Sequence, residues 1–300
     1  MPGPRDPFGE ACSVNGAAGR GCIARHDCYR LEDLQMTISK TDKMIAEKDG
    51  PIGWITFNNP ARRNAVSMAM WEALSDIVQD YARDSAIRVI VVKGAGDKAF
   101  VSGADISEFN EKRSSPETTR IYNQASGKAS EELKQVGKPT IAMIRGYCIG
   151  GGVSVATSCD IRIAAEGAKF GVPAARLGLG YAHEGVRKLM DLVGPSFAKE
   201  IFFTARQFTA EEALTMGLIN RLVPEANLEA YVREYAATIA ANAPLTVASI
   251  KTIVDELAKD ESRRDMALCL QVVDRCFNSE DYVEGRTAFM EKRKPVFKGR

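Results

Sequence analysis

Lys138-Pro-Thr-Ile-Ala-Met-Ile-Arg145, followed at once by Gly146-Tyr-Cys-Ile-Gly-Gly-Gly-Val-Ser-Val-Ala-Thr-Ser-Cys-Asp160, is the stretch on which the reading of the chain turns. Its first part is a β-branched, apolar run with the character of a buried strand. Three consecutive glycines then give way to Val153-Ser-Val-Ala-Thr157, small residues suited to a helix packed close against its neighbours. A glycine turn that opens a helix leaves several backbone N–H groups free and brings the positive end of the helix dipole to the same spot. Such a place suits a standing anion or a negative charge that develops during a reaction. The plainer reading is a tight turn with close helix packing. A second glycine turn upstream, Ser102-Gly103-Ala104, weighs toward the chemical one.

Outward from this centre, the spacing predicts a strand over Ile52–Phe57, ended by the turn residues Asn58-Asn-Pro60. Ser67 is placed to cap a helix whose apolar residues Trp71, Leu74, Val78 and Tyr81 recur every three or four positions. Arg88–Lys93 has the β-branched content of a buried strand, Gly94–Phe100 reads as loop, and Val101–Ile106 leads into a helical region. Further strands are expected at Asp160–Ala165 and Ala168–Phe170. Past Gly185 the pattern reads as helical throughout, with Thr209-Ala-Glu-Glu212 a capping box and Gly217 the stop of that helix. Strands alternating with helices indicate an α/β sheet with crossover connections. Three segments follow: residues 1–38 as a disordered N-terminal extension, 39–200 as an α/β core, and 201–300 as a C-terminal helical region.

Composition narrows the function. A net charge of +1 lacks the basic excess of a nucleic-acid or membrane-surface protein. No apolar run approaches the roughly 20 residues of a membrane helix. Seven scattered cysteines match neither a disulfide scaffold nor metal-ligand spacing, so no metal is expected, the Cys22/His26/Cys28 group included. A reducing, cytoplasmic setting is the simplest reading. The first 35 residues are rich in Gly, Ala, Arg and Pro without hydrophobic period, and Met36 leads into structure, so an extended or misassigned start is expected there.

Several marks then coincide in order. They are Asn59-Pro-Ala-Arg-Arg-Asn-Ala65, Lys98-Ala-Phe-Val-Ser-Gly-Ala-Asp-Ile106, the Lys138–Asp160 stretch, Lys169-Phe-Gly-Val-Pro173, Gly217-Leu-Ile-Asn-Arg-Leu-Val-Pro224 and Glu291-Lys-Arg-Lys-Pro-Val-Phe-Lys298. Over residues 40–300 the chain resembles the enoyl-CoA hydratase/isomerase (crotonase) family. The resemblance implies an α/β, crotonase-like spiral of ββα units with a C-terminal helical trimerisation region, assembled as a homotrimer or dimer of trimers. It implies an acyl-CoA thioester as substrate, with no separate cofactor. By the same likeness, the backbone N–H groups of Ala104 and Gly151 are the two donors of an oxyanion hole. Arg62, Arg63 and Ala65 lie where the family approaches the nucleotide. Ala104, Asp105, Ile106 and Ser107 run beside CoA, and Phe289 and Lys292 match a C-terminal helix that reaches it. For each charged residue the alternative is a solvated surface position.

The pattern breaks at two places. A hydratase of this family carries one glutamate two residues after the glycine triplet and a second directly after Phe-Gly-x-Pro; here those positions are Ser154 and Ala174. Adding water to an enoyl double bond needs one group to deprotonate water and another to protonate the α-carbon, and neither residue does this alone. Replacements are sought in Leu177-Gly-Leu-Gly-Tyr-Ala-His-Glu-Gly185, where His183 is of the residue type most used for acid–base work and Glu184 adjoins it. The alternative for that pair is an exposed helix start, and for Tyr181 and Arg176 packing or salt bridging. Hydration, isomerisation, decarboxylation and thioester cleavage all stay open, as does a non-catalytic acyl-CoA-binding homologue. Serine hydrolysis with Ser154 as nucleophile and His183 as base lacks a poised acid. A dinucleotide site lacks the third spaced glycine.

Overall fold

The structure, a computed structural model, describes residues 35–37, 41–105 and 115–300. It opens on antiparallel strands β1 (Gln35–Thr37), β2 (Met44–Asp49) and β3 (Ile52–Phe57), followed by helix α1 (Met68–Arg83). Two strands then precede each helix. β4 (Val89–Gly94) and β5 (Ala99–Val101) come before α2 (Pro116–Gln135); β6 (Thr140–Ile144) and β7 (Tyr147–Ile149) before α3 (Gly151–Ser158); β8 (Ile161–Ala165) and β9 (Lys169–Gly171) before α4 (His183–Thr204).

The members of each strand pair part company. The first strands, β4, β6 and β8, lie side by side and parallel in a seven-stranded sheet ordered β1-β2-β3-β4-β6-β8-β11. The second strands, β5, β7 and β9, lie parallel in a four-stranded sheet ordered β10-β9-β7-β5. This is the ββα repeat the resemblance implies. β10 (Phe208–Thr209) closes the smaller sheet antiparallel to β9, and β11 (Arg221–Val223) joins the larger one parallel to β8. Between them α5 (Ala210–Thr215) carries the expected capping box: Thr209 Oγ1 accepts from Glu212 N, and the Glu212 carboxylate accepts from Thr209 N. The chain ends with α6 (Leu228–Ala240), α7 (Pro244–Leu257), α8 (Met266–Phe277) and α9 (Glu280–Met290).

Both faces of the larger sheet are covered, which is why β3, β4 and β6 read as continuous apolar runs. Ile55, Phe57, Ile90, Val92, Ala142 and Ile144 share one core with Leu74, Ile77 and Tyr81 of α1. The alternate residues Trp54, Val89, Val91, Ile141 and Met143 share the second with Leu228, Val232 and Ala236 of α6. Ser67 caps α1 as expected, its hydroxyl accepting from Met70 N.

Several expectations need correction. Gln35–Thr37, inside the 1–38 segment read as disordered, pairs with Ala46–Lys48 as an edge strand, because β2 supplies backbone partners that composition does not reveal. Residues 1–34 and 38–40, with Cys22, His26 and Cys28, lie outside the described residues. The 94–100 loop contains β5, and the region past Gly185 contains β10 and β11; strands of two or three residues are too short to show a period. Because β11 and α6 serve the larger sheet, the 201–300 segment contributes to both the sheet layer and the helices beyond it. Among the described residues no single helix is long and apolar enough to cross a membrane.

Candidate active site

The two glycine turns meet at the N-terminus of α3. Ala104 forms an isolated parallel bridge with Val66: Val66 N donates to Gly103 O at 2.9 Å and Asp105 N donates to Val66 O at 2.9 Å. In a parallel bridge the residue between those two bonds directs its own N–H to the opposite side. The Ala104 amide therefore turns away from Val66. Gly150 takes φ 53°, ψ −108°, a conformation open to glycine, and donates its N–H to Gly171 O at 2.8 Å. The helix starts on the next residue, and its first backbone bond of this kind runs from Ser154 N to Gly150 O, which leaves the Gly151 N–H without an intrahelical acceptor.

Gly151 and Ala104 are neighbours in space. A Cβ placed on Gly151 would lie 3.6 Å from Gly103 C, 3.8 Å from Ala104 N and 3.7 Å from the Trp71 ring. Both residues are partly open to solvent. The turn around Ala104 is braced from behind: Trp71 Nε1 donates to Tyr122 Oη at 2.9 Å, and Tyr122 Oη donates to Val66 O at 3.0 Å. Two backbone amides without a backbone acceptor thus lie close together on buried, hydrogen-bonded scaffolding.

A sequence profile described as enoyl-CoA hydratase/isomerase matches residues 47–300. The chain belongs to this family. Among curated enoyl-CoA hydratase/isomerase relatives, the short-chain-enoyl-CoA hydratase of Clostridium acetobutylicum is 35% identical over 253 residues, covering 84% of this chain and 96% of that one. The crotonyl-CoA hydratase of Syntrophomonas wolfei is 34% identical over 256 residues, covering 85% and 98%. A crystal structure of an enoyl-CoA hydratase/carnithine racemase from Magnetospirillum magneticum superposes with a TM-score of 0.82 at 34% identity, covering 90% of this chain and 98% of that one.

Around these two turns the other sequence-predicted residues divide. Arg62 reaches Asp105, Nη1 to Oδ1 3.1 Å, joining an exposed guanidinium to a buried carboxylate. Arg63 lies over the Tyr147 ring at 5.1 Å, and Ala65 is buried, its carbonyl accepting from Asn59 Nδ2. Ile106 and Ser107 lie outside the described residues. Phe289, at the end of α9, is 82% exposed, and Lys292 follows in the left-handed region at φ 56°.

Ser154 stands on α3 three residues after Gly151, and Ala174 is buried in the 3-10 turn Pro173–Leu177 that abuts Gly150 through Pro173. His183 and Glu184 sit together on the first turn of α4, Nδ1 to Oε2 3.4 Å, with side chains 92% and 68% exposed. Burial pushes the Cys159 thiol up to about 12 and raises that of Cys148 as well, so neither supplies a thiolate. Among the described residues no cluster of His, Cys, Asp or Glu could hold a metal ion.

The sequence reading passed over Lys188 and named Tyr181 as a lesser candidate, with packing or salt bridging as the alternative. Both line a cavity of about 10 Å3 between α3 and α4, together with Ser154 and Thr157. The Tyr181 ring lies edge-on to Phe202, centroids 4.9 Å apart, and rests on Gly185, where a Cβ would stand 2.8 Å from Cε1. The Tyr181-x-x-x-Gly185 spacing was the available signal: a bulky ring just before a helix, and a residue without a side chain to receive it.

Proposed function

We propose that the chain is an acyl-CoA thioester enzyme that stabilises a thioester enolate between the backbone N–H groups of Ala104 and Gly151, with enoyl-CoA hydration or isomerisation as its reaction. The observation that carries this reading is the approach of the two turns, with the Cβ position of Gly151 3.8 Å from Ala104 N. An enolate oxygen carries more negative charge than the thioester carbonyl it comes from. Fixed amides therefore stabilise the transition state more than the substrate. Loss of one such donor typically costs about 2.7–4 kcal/mol. The names of the two hydratase relatives support short enoyl-CoA thioesters as the first substrates to try.

In this reading Arg62, Arg63, Ala65 and the Asp105–Ser107 run flank the CoA moiety, and Phe289 and Lys292 approach it from the C-terminal helix. His183 and Glu184 are the acid–base candidates of the loop before α4. A homotrimer or dimer of trimers is proposed as the assembly, supported by exposed apolar side chains on the last helices, Val254, Leu257, Leu270, Phe277 and Met290 among them. A cytoplasmic location completes the proposal, with the thioester as substrate and no separate cofactor.

The test is turnover on a panel of enoyl-CoA thioesters of increasing chain length, with binding measured separately by calorimetry. Hydration or double-bond migration of a short enoyl-CoA supports the reading. Alanine substitution of His183 and Glu184 that abolishes turnover and keeps binding assigns them the proton transfers; unchanged turnover removes them from the mechanism. A second reading, a non-catalytic acyl-CoA-binding homologue, is favoured by Ser154 and Ala174 in place of two carboxylates. Binding without turnover across the whole panel would select it.

A further inference from the structure

The cavity between α3 and α4 is about 10 Å3, close to the least volume that holds one water molecule. Four of the residues that line it carry polar side chains: Ser154 and Thr157 from α3, Tyr181 from the loop before α4 and Lys188 from α4. Two of them already have partners. Thr157 Oγ1 donates to Ser154 O at 3.2 Å, and Lys188 Nζ pairs with Glu131 Oε2 at 3.2 Å. The Ser154 and Tyr181 hydroxyls have no hydrogen-bond partner among the described residues. A water-sized space whose lining residues carry two hydroxyls without a protein partner, a third hydroxyl and an ammonium has the polar groups an ordered water needs.

We propose that this cavity is a one-water site, that the Ser154 and Tyr181 hydroxyls hold the water, and that Tyr181 is the positioning residue that fixes it beside the oxyanion amides. The proposal rests on the enolate site argued above. Ser154 follows Gly151 by three residues, about 4.5 Å along the helix axis and on the same face. A water on Ser154 is therefore one turn from the Gly151 amide, on a wall that carries no carboxylate. Burial raises the Tyr181 pKa, so the phenol stays protonated and donates. Gly185 is the device that admits the ring, since any side chain there would displace it.

The first test is a high-resolution crystal structure of the free protein, wild type and Tyr181→Phe. The expected result is one water within hydrogen-bond distance of both hydroxyls in the wild type, absent or displaced in the variant, which keeps the ring and its packing. No water, or a water bound only to Thr157 and Lys188, overturns the proposal. The second test follows turnover together with exchange of the α-proton of a saturated acyl-CoA in heavy water. Tyr181→Phe and Ser154→Ala should each lower kcat and exchange by roughly 100-fold, the lower end for a positioned proton-transfer arrangement. KM should stay within about threefold. Wild-type exchange with an unaffected Tyr181→Phe variant refutes the positioning role and leaves the enolate reading standing. No exchange in the wild type refutes the enolate reading and the role that rests on it, while the crystallographic result still decides the water site.

Discussion

Gly152 presses its α-carbon against the carbonyl of Val101: a Cβ at that position would stand 2.1 Å from the oxygen. Val101 leads directly into Ser102-Gly103-Ala104, so this contact sets the distance between the two turns of the site. Gly152→Ala must push α3 away from β5. It is expected to destabilise the protein by roughly 1–3 kcal/mol or more, the range for overpacking a tight interior. Chemical denaturation measures that cost, and turnover in the folded fraction should be lost because Gly151 moves with its helix.

Tyr122 links Trp71 to the carbonyl of Val66, the group that also accepts from Asp105 N. Tyr122→Phe removes the donor to Val66 and the acceptor for the Trp71 indole, both buried. Val66 O keeps the Asp105 N–H, so the expected stability loss of about 1–3 kcal/mol comes from the buried Trp71 indole N–H left without its acceptor. If the chain of bonds aims Ala104, kcat falls while KM changes little; equal scaling of both would show the brace to be structural only.

The parts of this site that were legible in the sequence are those set by local backbone chemistry. A glycine triplet after a β-branched strand announces a helix start with free amides, and Ser67 and Thr209 announce their caps. The juxtaposition of Ala104 and Gly151 was reached through resemblance, because it depends on β5 and β7 lying side by side, and three-residue strands leave no period to read. Lys188 escaped, and Tyr181 stood only as a lesser candidate, for a related reason. Their importance comes from a cavity between two helices, and a cavity is a property of packing across the fold. His183 and Glu184 were legible both ways, as acid–base candidates and as an exposed helix start, and they sit exposed on the first turn of α4.

Lys251 ties α7 to the larger sheet. Its ammonium is largely buried and donates to Asp160 Oδ2 at 2.9 Å and to Lys138 O at 3.0 Å, while the same Asp160 oxygen accepts from Thr140 N. Lys251→Met should cost roughly 1.5–3 kcal/mol, the range for hydrogen bonds to charged groups. Thermal denaturation reads the loss, and hydrogen exchange should place the loosening in α7.

The C-terminal segment is fastened by Glu284, whose carboxylate accepts from the Arg293 guanidinium and from Val296 N. These bonds, the Arg293 pair foremost, hold its pKa down from the ordinary 4.5 to about 2. A depressed carboxylate stabilises the folded form fully above its unfolded pKa and loses that contribution as pH falls toward the folded value. Proteolysis of residues 291–300 by an acid-active protease should therefore rise between about pH 4.5 and 2 in the wild type. A Glu284→Gln variant should be cleaved readily across the whole range, and a flat wild-type profile would show that the segment is held by other contacts.

The most direct measurement is a crystal structure of the protein with an unreactive acyl-CoA analogue bound. The account predicts the thioester oxygen about 2.7–3.1 Å from both Ala104 N and Gly151 N, the reach of oxyanion-hole donors. A thioester bound elsewhere, or an oxygen that touches neither amide while the analogue fills the site, would contradict it.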